Sequence, residues 1–227
     1  MKRELKGFIF DIDGTLVDSM GIWTESDELL LARRGIKYSP DLTLTLKSMT
    51  LTTSAAYLKE YYSLPESAEE ILTEITDIVR DKYAHEIKAM PYTRELLTML
   101  KDSGVKICAA TANSHELSDL VLGANGISEM FDFVLTTDDV GSGKDRPDLF
   151  RACADRFGTD RMNTAVVEDS PHSAQTARED GFFTIGVDSG HYGDFEALAE
   201  HCDVRFRHFG ELMKVLYTGG DHIELIG

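Results

Sequence analysis

The sequence predicts an α/β protein: a three-layer, doubly wound parallel sheet with an all-helical segment inserted after its first strand. Three observations carry this. The run Phe8-Ile9-Phe10 is apolar and ends on Asp11-Ile12-Asp13-Gly14, which reads as a buried strand stopped by a polar turn. From Pro91 onward, short apolar runs alternate with helical patterns, as in a parallel sheet covered on both faces. Between about residues 20 and 88 the pattern is helical only, far more helix than one crossover needs. The expected division is a core of residues 1–17 and 91–227 and a helical domain of residues 18–90.

Taken in order, Met20 to Arg34 carries Ile22, Trp23, Leu29 and Leu30 at helical spacing, with Gly35 as the stop. Residues 54–62 and 68–87 read as further amphipathic helices separated by Leu64-Pro65. A helix over 93–103 ends at Gly104, and Val105 to Ala110 is a strand. Thr111-Ala112-Asn113-Ser114 then opens a helix to about Leu122. Phe133 to Thr136 is a strand followed by a polar, glycine-containing loop, and Lys144-Asp145-Arg146-Pro147-Asp148 leads into a helix over 149–157. Ala165 to Val167 is a strand ending on Glu168-Asp169, with Ser170 as N-cap and Pro171 at the first helical position. Strands follow at Phe183 to Val187 and Val204 to Phe206, and the tail after Leu216 gives no reading.

Composition narrows the function. Forty acidic against 23 basic residues give a formal charge of −17, which repels nucleic acid and anionic membrane surfaces. A phosphorylated substrate is repelled too, so a phosphate site needs local positive charge. Cys108, Cys153 and Cys202 show no paired or metal-like spacing and suit a reducing compartment, here taken as the cytoplasm. Neither a signal peptide nor a membrane span is expected.

The chemistry collects at strand ends, where open α/β sheets place their ligands. Asp11 and Asp13, two positions apart at a strand end, can share one face, and paired carboxylates call for a cation or a shared proton. An EF-hand would need Gly and Glu where Leu16 and Ile22 stand. Gly141 to Lys144 is no P-loop, because Asp138 replaces the first glycine and Asp145 the Ser or Thr. Thr111 with Asn113, Lys144, and Glu168 with Asp169 join the first pair at the same sheet edge. Read singly, Asn113 with Glu116 is a capping pair, Lys144 a surface lysine, and Asp18 with Ser19 a helix start.

The order and wording of these groups resemble the haloacid dehalogenase superfamily, and within it the phosphatases similar to β-phosphoglucomutase. Asp11-x-Asp13-Gly14-Thr15 is similar to that family's first motif, Thr111 to its second, Lys144 with Pro147 and Asp148 to its third, and Glu168-Asp169-Ser170 to its fourth. The helical insertion matches a cap domain. The resemblance implies a Mg²⁺-dependent phosphatase acting on a small phosphorylated metabolite. Asp11 is then the nucleophile and Asp13 the general acid and base. Asp11, the Asp13 carbonyl, Asp169 and, directly or through water, Glu168 hold the metal. Thr111, Ala112, Asn113 and Lys144 bind phosphate. A carboxylate meeting a phosphate dianion at 4 Å faces about 8 kcal/mol of repulsion at an effective dielectric of 20, so such a centre requires cations.

Mutase members of the superfamily carry a histidine at the position of Trp23 and an arginine near Leu51. Apolar residues there favour hydrolysis over isomerisation, and Trp23 and Met49 become candidate substrate contacts on the cap or, equally, cap core. A sugar-phosphate mutase is the alternative. A phosphoacceptor signalling domain fits less well, since Ile12 splits the two acids.

Overall fold

The computed structural model describes residues 2–39, 42–47, 49, 51–190, 194–220 and 222–226. The chain divides into two compact units, one of Met1–Met20 with Ile87–Gly227 and one of Gly21–Glu86. In chain order, β1 (Lys2–Leu5) and β2 (Gly7–Phe10) precede four helices, α1 (Ile22–Ala32), α2 (Leu42–Lys47), α3 (Leu51–Tyr62) and α4 (Ala68–His85). Then come α5 (Thr93–Asp102), β3 (Lys106–Thr111), α6 (His115–Ala124), β4 (Phe133–Thr136), α7 (Thr137–Val140) and α8 (Asp148–Phe157). The chain continues through β5 (Thr164–Glu168), α9 (Pro171–Glu179), β6 (Phe183–Val187), α10 (Leu198–His201) and β7 (Val204–Phe206). It ends with α11 (Phe209–Met213), β8 (Leu216–Thr218) and β9 (Ile223–Ile226).

Six strands form one parallel sheet in the order β4-β3-β2-β5-β6-β7. Every residue of β2 and β5 is buried, as expected of strands covered on both faces. Strand alternation sends Ile9, Cys108, Ala110 and Val166 toward Leu149, Phe150 and Cys153 of α8. The opposite face turns Phe10 edge-on to Phe209 of α11, at 6.1 Å between ring centres. These two packings make the three layers, and the α/β expectation holds.

β2 lies at the centre because the chain leaves it first for β3 on one side and later for β5 on the other. That reversal of direction opens a crevice at the strand ends. Phe10 is level with Ala109 of β3 and Val167 of β5, so Asp11, Thr111 and Glu168 come out at one edge. The Asp11 amide still donates to the Val167 carbonyl at 3.0 Å, fixing the first acid against the neighbouring strand.

The helical unit is held by α4. Its apolar face, Ile71, Ile75, Ile78, Val79 and Tyr83, is buried, and a complete capping box between Ser67 and Glu70 starts it. Arg34 bridges Glu66 and Glu74, at 2.9 and 2.6 Å.

Several elements differ from expectation. The tail forms strands: β8 and β9 pair, and β9 pairs with β1, giving a separate three-stranded antiparallel sheet. The polar segment after β4 begins as the short helix α7, because Asp139 accepts from the Thr136 amide at 2.7 Å and from its hydroxyl at 3.2 Å. Helix α1 starts at Ile22 with Gly21 as N-cap, so Asp18 and Ser19 do not open it. Ser114, not Asn113, caps α6, accepting from the Leu117 amide. All three cysteines are free and buried.

Candidate active site

Asp11 leaves the end of β2 buried, and its neighbours decide its charge. The ammonium of Lys144 donates to Asp11 Oδ1 and, at 2.7 Å, to Glu168 Oε1. Lys144 is only 9% exposed despite lying in a loop, because both carboxylates draw it inward. Burial works against its charge, yet Asp11 and Glu168 outweigh that and hold its pKa above the ordinary lysine value. It is therefore not a solvated surface lysine.

One carboxylate oxygen from each of Asp11, Glu168 and Asp169 lies within 4.8 Å of the others. All three side chains are buried, and burial is the main force raising each pKa. Asp11 rises to about 7, with Glu168 and Asp13 adding repulsion and Lys144 opposing it. Asp169 also rises to about 7, pushed further by Asp11. Hard oxygen donors carrying excess negative charge fit a divalent cation such as Mg²⁺.

The turn after β2 explains why glycine follows the acids. Gly14 has φ +85°, and a Cβ there would lie 2.3 Å from Asp169 Oδ2. Glycine thus lets the carboxylate from β5 pass against the first loop. The Gly14 amide closes the turn onto the Val17 carbonyl at 2.9 Å, and the Thr15 hydroxyl reaches Asp169 Oδ1 at 3.5 Å.

Asp13 is held from two sides. The Ser19 hydroxyl donates to its Oδ1 at 2.6 Å, and the Asn113 amide donates to Oδ2 at 3.4 Å. The sequence reading gave Ser19 only as a helix start. Its signal is only its spacing, six residues beyond Asp13, and that becomes a contact once the loop folds back. Thr111 is buried and accepts from the Asn113 amide at 3.0 Å, so its own hydroxyl proton remains to be donated. Ala112 lies between them, at the start of the loop that leads to Ser114 and α6.

The remaining candidates belong to the helical unit. Trp23 is the second residue of α1 and is half-buried. Met49 lies between α2 and α3, half-buried, with its amide donating to the Leu46 carbonyl at 3.0 Å. The side chain of Leu51 is outside the described residues.

Comparison with known proteins adds to this geometry. Residues 8–187 match the profile of the family described as haloacid dehalogenase-like hydrolase. Among curated relatives, the chain is 25% identical over 211 residues to validoxylamine A 7′-phosphate phosphatase of Streptomyces hygroscopicus subsp. limoneus, covering 89% of this chain and 97% of that protein. It is 26% identical over 190 residues to the bifunctional riboflavin kinase/FMN phosphatase of Arabidopsis thaliana, covering 83% of this chain but spanning only 50% of that longer protein. A Thermotoga maritima crystal structure provisionally named β-phosphoglucomutase superposes with a TM-score of 0.80 at 22% identity, covering 89% of this chain and 94% of that one. No described helix is long and apolar enough to cross a membrane. With the profile matched from β2 through β6, across every strand that contributes an acid, this chain belongs to the haloacid dehalogenase-like hydrolases.

Proposed function

We propose that the chain is a Mg²⁺-dependent phosphatase that hydrolyses a small phosphomonoester, such as a sugar phosphate, through an aspartyl phosphate on Asp11. The observation that carries this reading is the convergence of Asp11, Glu168 and Asp169 around one point with the Lys144 ammonium joined to two of them. Asp11, the backbone carbonyl of Asp13, Asp169 and Glu168 are the residues that would hold Mg²⁺. When bound, the cation supplies charge neutralisation between nucleophile and phosphate.

The chain's own groups do the rest. Asp11, kept in place by the hydrogen bond from its backbone N–H to the Val167 carbonyl, attacks phosphorus. Lys144 and the Thr111 hydroxyl donate to phosphate oxygens, as do the backbone N–H groups of the Ala112–Asn113 segment. Asp13 gives a proton to the leaving alcohol and later takes one from water. Ser19 and Asn113 fix its carboxyl orientation for both steps. Relatives named as phosphatases support the reaction class. Three free, buried thiols suit a cytoplasmic setting.

The test is a panel of phosphorylated sugars, nucleotides and polyols assayed for phosphate release with Mg²⁺, in wild type and Asp11→Asn, with a bisphosphorylated sugar included. Wild-type release that disappears in Asp11→Asn is expected. Release at the wild-type rate in the variant overturns the nucleophile assignment, and isomerised product from the bisphosphate moves the reading to a mutase.

A further inference from the structure

The three acids and the lysine come from β2, β5 and the loop after β4, but β6 also ends at this edge. Gly186 of β6 is level with Glu168 of β5, so the residues after Val187 continue past the strand end beside Asp169. Ser189 stands there, 3% exposed, and its Oγ has no hydrogen-bond partner. Burial and Asp11 push the Asp169 carboxyl up, and the Ser189 hydroxyl works in the opposite direction.

A buried hydroxyl left without a partner is costly, and native structures keep few of them. Its position is not left to chance. The Asp188 amide donates to the Phe206 carbonyl at 3.2 Å, Asp188 Oδ1 accepts from the Gly190 amide at 3.0 Å, and Asp188 Oδ2 pairs with Arg207 at 3.3 Å. The residues on either side of Ser189 are thus fixed by hydrogen bonds, which sets the course of the backbone at Ser189. Among the described residues, the Thr15 hydroxyl also reaches the Asp169 carboxylate, at 3.5 Å. A carboxylate that ligates a cation keeps its orientation through donors to its remaining lone pairs.

We propose that Ser189 is a positioning residue of the cation site, its hydroxyl donating to the Asp169 carboxylate that ligates a divalent cation. This rests on the metal assignment of the proposed function. Ser189 touches neither substrate nor reacting atoms, so its effect is on cation affinity.

The experiment titrates the purified full-length protein with Mn²⁺, reading free Mn²⁺ by electron paramagnetic resonance, in wild type, Ser189→Ala, Ser189→Thr and Asp169→Asn. Circular dichroism and melting of the metal-free proteins run alongside. The expected result is Mn²⁺ binding weakened about 10-fold or more in Ser189→Ala, restored in Ser189→Thr, and lost in Asp169→Asn. Ser189→Cys, nearly the same size with a weak donor, repeats the test without opening a void and is expected to behave as Ser189→Ala. Wild-type affinity in both Ser189→Ala and Ser189→Cys, with Asp169→Asn defective, overturns the role of Ser189 and leaves the metal assignment standing. Wild-type affinity in Asp169→Asn overturns the metal assignment itself and the inference with it.

Discussion

Asp27 is a buried acid in α1, 8% exposed, on the helix face that also carries Ile22, Leu30 and Leu31. Burial alone raises its pKa from 3.8 to about 7. Between those values the unfolded chain releases the proton and the folded chain keeps it. The folded state therefore binds more protons, and stability falls as pH rises from about 4 to 7. At about 1.4 kcal/mol per pH unit, the three-unit shift removes at most about 4 kcal/mol above pH 7. Asp27→Asn deletes that penalty but keeps a buried amide, whose own desolvation returns roughly 1–3 kcal/mol. The variant is expected to be more stable than wild type by about 1–3 kcal/mol at pH 8, several degrees in melting temperature. At pH 4.5 the wild-type penalty is only about 1 kcal/mol, so the advantage there shrinks to nothing or reverses. Thermal melts of both proteins at the two pH values decide the matter. A difference independent of pH, or a variant less stable at pH 8, refutes the argument from burial.

Three further outcomes are expected. Gly14→Ala puts a Cβ 2.3 Å from Asp169 Oδ2 at a φ of +85°, so Mn²⁺ affinity is expected to fall about 10-fold or more, and an unchanged titration contradicts the packing. Ser19→Ala removes the 2.6 Å hydrogen bond to Asp13. It is expected to lower kcat roughly 10-fold, within the range of general acid–base contributions, with little change in KM; a change in KM alone would place Ser19 elsewhere. Ser67→Ala breaks the capping box of α4 and is expected to cost about 1 kcal/mol in urea unfolding, with phosphate release unaltered.

The parallel sheet was legible because its strands are buried on both faces and so appear as unbroken apolar runs, Phe8-Ile9-Phe10 and Ala165-Val166-Val167 among them. The small antiparallel sheet was not. Three of the four residues of β1 are charged, and its partners lie at the far end of the chain, so nothing local marks it. The tail did carry a sign that went unread: Leu216-Tyr217-Thr218 and the run from Ile223 flank Gly219-Gly220, a hairpin signature. At the site, every acid could be found because each follows an apolar strand. Its fixings could not. Ser19 looked like a helix start and Asn113 like a cap, since both residue types serve those purposes well in isolation. Only the folded loop turns them toward Asp13 instead.

Charge balance at the sheet edge favours the proposed divalent partner. Ionised, Asp11, Glu168 and Asp169 bring three negative charges against the single positive charge of Lys144, all in a buried setting. Two negative charges are left over. Retaining protons is one remedy, and the pKa values of Asp11 and Asp169, raised to about 7 mainly by burial, lean that way. A small dication held by these acids would balance the same charge and favour their ionised forms. Burial, the largest cause of the raised pKa values, and the crowding of three acids act in the same direction, and a bound cation would offset both.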